Sequence, residues 1–437
     1  MSGEGTSGEG TSGEGASGRP VLVVGYVAFA VPALAAFQAA DSVVYVEEPD
    51  VARKRHLAET VEGIDYARGL IEWEYHLPGR ADAFFAAHSG LDPVAVIPAV
   101  EYAVPFAARL AERYGLPGAS LGAAQLLRDK HQLRVVAAAA GIANPASEPV
   151  ADAAALAAFM ARHPGPAVLK PANRQASVGT LVVRGPEEVA AAWAFGQAQD
   201  EGVFVPDRPI APAMLAEQYV AGPEFSVEML VRDGRPVFAN TTGKLLYPGP
   251  YPIESGHTVP AELPPETHEL LAAETERLVA AVGFGTGVLH CEWILADGVP
   301  VLVECAGRLP GDSITDLIEA AYPVELTRAY YALMRGEPTG ELPAKAERAT
   351  AAAFLAPDRP GTVTAVHGLD AAAAAEGVQL AVVGIAPGHR SAGLRSSWDR
   401  VGIVTARADT PAEARRLADA AAALVRFDID AHAEEES

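Results

Sequence analysis

Cysteine and positive charge are both scarce in this sequence, and no apolar run is long enough to span a bilayer. The two cysteines, Cys291 and Cys305, rule out a disulfide framework and read as small core fillers. A reducing compartment fits them, so the expected location is the cytoplasm. The 33 Lys and Arg face 56 Asp and Glu, for a formal net charge of −23. Nucleic acid and anionic membranes attract the opposite sign, so neither is an expected partner. The N-terminus lacks the basic-then-apolar layout of a signal peptide. Two nucleotide fingerprints are missing as well. The first turn, Val24-Gly25-Tyr26-Val27-Ala28, is not Gly-x-Gly-x-x-Gly, and no Gly-x₄-Gly-Lys-[Ser/Thr] loop occurs.

What remains is a chain of 437 residues, 50% hydrophobic and 20% charged, enough for about three domains. Residues 1–18 carry a Ser-Gly-Glu-Gly repeat with nothing to bury, expected as a disordered tail. Residues 19–117 alternate short apolar strands (Pro20–Val24, Ser42–Val46, Val94–Ile97) with helices, one from Glu101 to Tyr114. Continuous apolar strands alternating with helices predict a parallel, doubly wound α/β domain with a ligand crevice at the strand ends. Residues 118–212 begin with two helices, the second opening near Asp129 and closing at Gly141. A strand Ala167–Pro171 and the small polar loop 172–180 follow, and such a loop can fold its N–H groups over phosphates. Residues 213–437 open with strands Met214–Val220, Glu224–Val231 and Pro236–Thr242, then an irregular Pro/Gly/Tyr segment from Tyr247 to His257 and a helix from Pro264 to Val282. They end in a small α+β cap, 345–437.

The most informative stretch is the hairpin from Leu289 to Cys305, turned at Ala296-Asp297-Gly298. Each strand carries one carboxylate, Glu292 and Glu304, in apolar company. Two such groups side by side repel and are costly to bury unpaired, so a cation should lie between them. With Arg308 in the glycine-marked turn that follows, this is the grammar of a Mg²⁺ site with a guanidinium over a developing oxyanion. The alternative is that both Glu lie on the solvent face of an exposed hairpin. Lys130, at a helix start, reads on its own as part of a solvated face, whereas Lys170 ends a strand where a central position would make it functional.

In their order, these pieces resemble the ATP-grasp superfamily: a lysine opening a helix, a lysine ending a strand, a Gly/Ser loop, Glu217-x-x-Val220-x-Gly222-x-Glu224, and Glu292…Glu304-x-x-x-Arg308. The resemblance covers residues 20–430. It implies an N-terminal doubly wound domain, a central lid and a C-terminal ATP-grasp domain, gripping ATP. It implies that Lys130 and Lys170 hold phosphates, that Gln175, Ser177, Val178 and Gly179 belong to the lid loop, and that Glu217, Gln218, Tyr219 and Val220 form the hinge, with the Glu217 carboxylate and the backbone meeting adenine. Glu224 would accept the ribose hydroxyls, and Lys244 joins the nucleotide set. Glu292 and Glu304 would bind Mg²⁺, with Mn²⁺ as the alternative metal, and Arg308 would stabilise an acyl phosphate. One departure stands out: Ala306 occupies the place of the usual metal-binding Asn.

Within the superfamily, Glu254-x-x-His257 upstream of the metal hairpin is similar to L-amino-acid ligases of the bacilysin synthetase type, implying contacts of Glu254 and His257 with amino-acid substrates. Without that resemblance, a turn-capping His257 and a solvated Glu254 fit as well. Leu309 to Asp312, including Gly311, would help set specificity. The implied activity is ATP-dependent amide formation between small carboxylate and amine substrates, with a homodimer as the family expectation. A biotin-carboxylase-like carboxylase, a ligase of another acid and a degenerate nucleotide-binding protein are the alternatives.

Overall fold

The computed structural model describes residues 18–199 and 201–430; the repeat up to residue 17, with the tail expected there, lies outside the described residues. Four parallel strands, Val21–Val24, Val43–Glu47, Ala67–Glu72 and Ala95–Pro98, form the N-terminal sheet, with Val21–Val24 between the second and the fourth. The Ala67–Glu72 strand was absent from the sequence reading. It is an edge strand of mixed burial containing Arg68 and Gly69, so it shows no apolar run. The first strand leads through a 3₁₀ turn into one short α-helix, Val31–Ala35.

Both faces of this sheet are covered, as a parallel sheet requires. Leu22, Val24, Val44 and Val96 pack on Phe84, Phe106 and Leu110 of the domain's own helices. Val21, Val23, Tyr45 and Ile97 pack instead on Ile314, Ile318, Tyr330 and Tyr331, from two helices that follow the 289–305 hairpin. The N-terminal domain is thereby pinned against the C-terminal part through an apolar interface.

A four-stranded antiparallel sheet comes next, in the order Ser147–Pro149, Met214–Gln218, Ala167–Pro171, Leu181–Val183, backed by helices Ala153–Arg162 and Val189–Ala198. Met214–Gln218 bonds directly to Ala167–Pro171, so this sheet runs past residue 212, where the sequence reading closed the central lid.

The largest sheet has eight strands, in the order Val299–Ala306, Gly287–Ala296, Glu224–Arg232, Arg235–Leu246, Glu254–Val259, Ala349–Leu355, Gly402–Ala408, Val378–Val383. Its hairpins turn at Asp233-Gly234 and Asp297-Gly298, with positive φ at all four residues, as the tight primed turns demand. One expectation is corrected. Glu254–Val259 is a paired strand, not irregular chain, because its neighbours satisfy its backbone on both sides. Three strands of the cap extend this sheet. Phe225, Val227, Met229, Leu289, Cys291 and Trp293 face the Pro265–Val282 helix and bury its Leu271, Leu278 and Val279. Cys291 and Cys305 are free and buried opposite each other. Among the described residues no helix is long and apolar enough to cross a membrane.

Candidate active site

The strand period of two decides what lies on the other face. Residues alternating with the apolar set are Glu224, Ser226 and Glu228 on one strand, His290 and Glu292 on the next, and Asn240, Thr242 and Lys244 on the third. Register sets them side by side: Lys244 opposite Glu224, Thr242 opposite Ser226, Glu292 opposite Ser226 and His290 opposite Glu228. Glu292 is also directly opposite Glu304, and Lys244 opposite His257. This polar face is the floor of a cleft of about 660 Å³ whose other walls come from the lid sheet, the N-terminal strand ends and the cap.

At the centre of the floor is Lys244, buried, with its ammonium 3.3 Å from Glu224 and 3.2 Å from Glu254, and also bonded to Glu292. The three carboxylates offer oxygens that all lie within 4.8 Å of one another, a spacing a divalent cation could use. Burial pushes the Glu224 carboxyl up to about 7 against the pull of Lys244. Burial acts on Glu292 too, but Lys244 and His290 outweigh it and hold that carboxyl far below its ordinary range. His290 lies between Glu228, 2.9 Å from Nδ1, and Glu292, 3.2 Å from Nε2. Burial alone would lower its pKa, and the two carboxylates raise it to about 9, so the ring is an imidazolium at neutral pH. Glu228 in turn accepts from Ser226, Asn240 and Thr242. Anion, cation, anion and cation thus follow one another from Glu228 to Lys244.

A second charged knot stands beside the lid. Glu217, expected to meet adenine, is buried with its carboxylate held by Arg134 at 2.9 and 3.2 Å and by Lys170 at 2.7 Å. Burial raises its carboxyl, and Lys170 and Arg134 more than reverse that. Its oxygens face Arg134 and Lys170 in this structure. Lys130 opens its helix under an Asp129 cap, donates to the Arg174 carbonyl at 2.8 Å and pairs with Glu304 at 3.0 Å. Glu304, expected to share a metal with Glu292, is thus tied to a lysine, and the third carboxylate beside Glu224 and Glu292 is Glu254.

Arg308 pairs with Glu101 at 2.9 Å, and Arg128 reaches the same carboxylate at 3.2 Å. His257 is fully buried and 3.2 Å from Asp312, which also pairs with Arg400 of the cap at 2.9 Å. Of the side chains and backbone positions proposed from sequence, all line this cleft except Gly179. That glycine has φ +72°, and a Cβ there would come within 3.1 Å of the Gly196 carbonyl and 3.2 Å of Pro171. The loop approaches the helix closely there, which a side chain would prevent.

Residues 163–316 match the ATP-grasp domain family, over the lid strands, the polar floor and the 289–305 hairpin. The fold is the ATP-grasp fold. Residues 353–430 of the chain match the L-amino acid ligase C-terminal domain 2 family. Its fold is similar to that of an L-amino acid ligase from Bacillus licheniformis, with a TM-score of 0.74 at 17% identity over 95% of this chain and 99% of that one. In sequence it is 27% identical to the uncharacterized protein y4rH of Sinorhizobium fredii over 355 residues, 80% of this chain and 72% of that protein. It is 34% identical over 178 residues to a D-alanine–D-alanine ligase of Ruegeria pomeroyi, which is 40% of this chain and 53% of that enzyme.

Several residues of the ATP-grasp cleft escaped the sequence reading although a signal existed for most. Arg134 is four residues after Lys130 on one helix, the spacing that puts both on one face. Glu101 follows the Ala95–Pro98 strand, at the end of a parallel strand where crevices form. Glu228 and His290 share the parity of Glu224 and Glu292 along their strands. Arg400 carried no local signal, since only the folding of the cap brings it to Asp312.

Proposed function

We propose that the protein is an ATP-dependent carboxylate–amine ligase that joins two amino acids or amino-acid-like units and releases ADP and phosphate. The observation that carries this reading is the three-carboxylate cluster around Lys244 sharing one cleft with Lys130, Lys170 and Arg308. The match to an L-amino acid ligase domain supports the amino-acid class.

The residues fit the expected groups. Three hard oxygen donors suit Mg²⁺, or Mn²⁺, which would displace the Lys244 ammonium from their midst. Among the described residues, the buried Arg134 has a nitrogen, Nη1, with no hydrogen-bond partner, and Arg174 in the lid loop has an unpartnered Nε; both side chains line the cleft. Such donors suit phosphate oxygens. Gln218, Tyr219 and Val220 would take adenine along the backbone. ATP supplies the phosphoryl group that turns the acid substrate's carboxylate into an acyl phosphate, so an amine can displace phosphate.

The chain's own contribution is positioning and charge. Lys130 and Lys170 are held by Glu304 and Glu217 in the orientation in which they would meet phosphate. Arg308, fixed by Glu101, donates to the oxygen on which charge grows. Glu254 and His257 border the acid substrate's amino group, with Asp312 orienting the imidazole.

Phosphate release from Mg·ATP across a matrix of single and paired amino acids, followed by mass spectrometry, tests the reading. Release only with pairs, with a product mass equal to their sum minus water, is the expected result. Release that depends on bicarbonate instead, or ATP binding with no turnover in any well, would overturn it.

A further inference from the structure

Six of the lysines and arginines lining the cleft each hold a carboxylate, as described above. Among the described residues, two that line it hold none: Arg174, in the lid loop, and Arg55. Arg174 belongs to the loop whose carbonyl Lys130 bonds, on the side of the phosphates under the proposed reading. Arg55 is elsewhere. It follows the short Pro49–Lys54 helix of the N-terminal domain, half-buried, with its guanidinium stacked between two rings. Its Cζ is 5.4 Å from the centroid of Tyr26 and 5.1 Å from that of Phe204. Nη1 donates to the Tyr26 carbonyl at 2.9 Å. A guanidinium has five N–H donors, and stacking leaves its edge free. The nearby acid, Glu47, is engaged by the Tyr26 and Glu48 N–H groups and the Tyr75 hydroxyl, and feels the Arg55 charge only beyond ion-pair distance.

Beside this cation the cleft wall is aromatic. Phe204 stacks on Trp398 of the cap, centroids 4.4 Å apart and planes within 11°. Trp398 remains 45% exposed and Phe29 60% exposed, although both line the cleft. Large rings left exposed in a concave site mark a place for an apolar group.

We propose that this end of the cleft is the subsite for the amino acid whose amine is acylated, with its free carboxylate on Arg55 and a large apolar or aromatic side chain against Trp398 and Phe29. The inference rests on the ligase reading above. In that reaction the acid substrate's carboxylate is consumed at the phosphate end, whereas the amine substrate keeps its own and needs a cation that, among the described residues, no carboxylate pairs with.

The test compares L-phenylalanine with L-phenylalaninamide as amine substrate, the acid partner being one that gives product in the matrix. The amide cannot be activated, so it reports the amine side alone. Wild type is expected to prefer the carboxylate by about ten- to a hundredfold in kcat/KM, as for a lost charge-assisted contact. Arg55→Ala should erase the preference, raising KM for phenylalanine while leaving KM for ATP unchanged, and Arg55→Lys should restore part of it. A preference that survives in Arg55→Ala overturns the proposal and leaves the ligase intact. If no pair is ligated, the ligase reading fails on its own, and equilibrium binding of the two probes to wild type and Arg55→Ala decides the subsite: a tenfold difference lost in the variant supports it, and equal binding overturns it. Trp398→Ala should shrink the preference for phenylalanine over alanine about three- to tenfold, and an unchanged ratio would overturn the aromatic half.

Discussion

Replacing Lys244 by methionine keeps the length of the side chain and removes the one cation at the centre of three carboxylates. At an effective dielectric of about 20, each ammonium–carboxylate contact near 3.2 Å is worth about 5 kcal/mol before desolvation. Two carboxylate oxygens 4.8 Å apart repel by about 3.5 kcal/mol on the same scale. The variant therefore keeps three mutual repulsions and loses the central attraction that offset them, leaving only His290 on Glu292 and Arg400 on Glu254. Part of the strain will be relieved by proton uptake, with Glu224 the first to protonate because its carboxyl already titrates near 7. What is left should match the cost of breaking a buried ion pair, about 3–5 kcal/mol. At about 2–4 °C per kcal/mol for a domain of ordinary size, the melting temperature should fall by about 10 °C.

The same arithmetic predicts a rescue. A divalent cation between the carboxylates restores the missing charge, so millimolar Mg²⁺ without nucleotide should raise the melting temperature of Lys244→Met by several degrees and that of wild type by much less. Acidification below pH 7 should also narrow the gap between variant and wild type, since protonated carboxyls no longer repel. Scanning calorimetry with and without Mg²⁺, at pH 6 and pH 8, reads all three effects. A melting temperature within about 2 °C of wild type, insensitive to both metal and pH, would refute the electrostatic account of the cluster.

His290 has a folded pKa near 9 against an ordinary value of 6.5, so its contribution to stability is full below 6.5 and is lost as pH rises through 9. Urea unfolding of His290→Asn should lack that decline, about 3 kcal/mol at most, and an unchanged pH slope would contradict the imidazolium assignment. Glu217→Gln leaves Arg134 and Lys170 buried against a neutral amide and should cost about 3–5 kcal/mol, with a non-additive cycle against Lys170→Met; additive losses in denaturant titrations would separate the three groups. Arg308→Ala should lower kcat about 10²- to 10³-fold with melting near wild type, since Arg128 still neutralises Glu101; full turnover would remove Arg308 from the chemistry.

How much of this was legible in the sequence follows from the range of each interaction. Period-two alternation and a Gly-marked turn are local, so the 289–305 hairpin and the parity of Glu292 could be read directly. The Ala67–Glu72 edge strand could not, because nothing apolar repeats along it. Partnerships are the harder case, since a residue type announces that it needs a counter-charge but not which one. Glu304 illustrates this. Its place opposite Glu292 was implicit in the hairpin, but its pairing with Lys130 joins two segments 174 positions apart and depends on how the helix start docks on the sheet. Glu254 went the other way: taken for part of an irregular loop, it belongs to a strand whose register carries it to Lys244. The demand for carboxylates gathered around a cation stood in the sequence at Glu292 and Glu304, whereas the grouping of Glu292 with Glu224 and Glu254 around Lys244 did not. Composition sets which charges must be neutralised, and sheet register decides which ones meet.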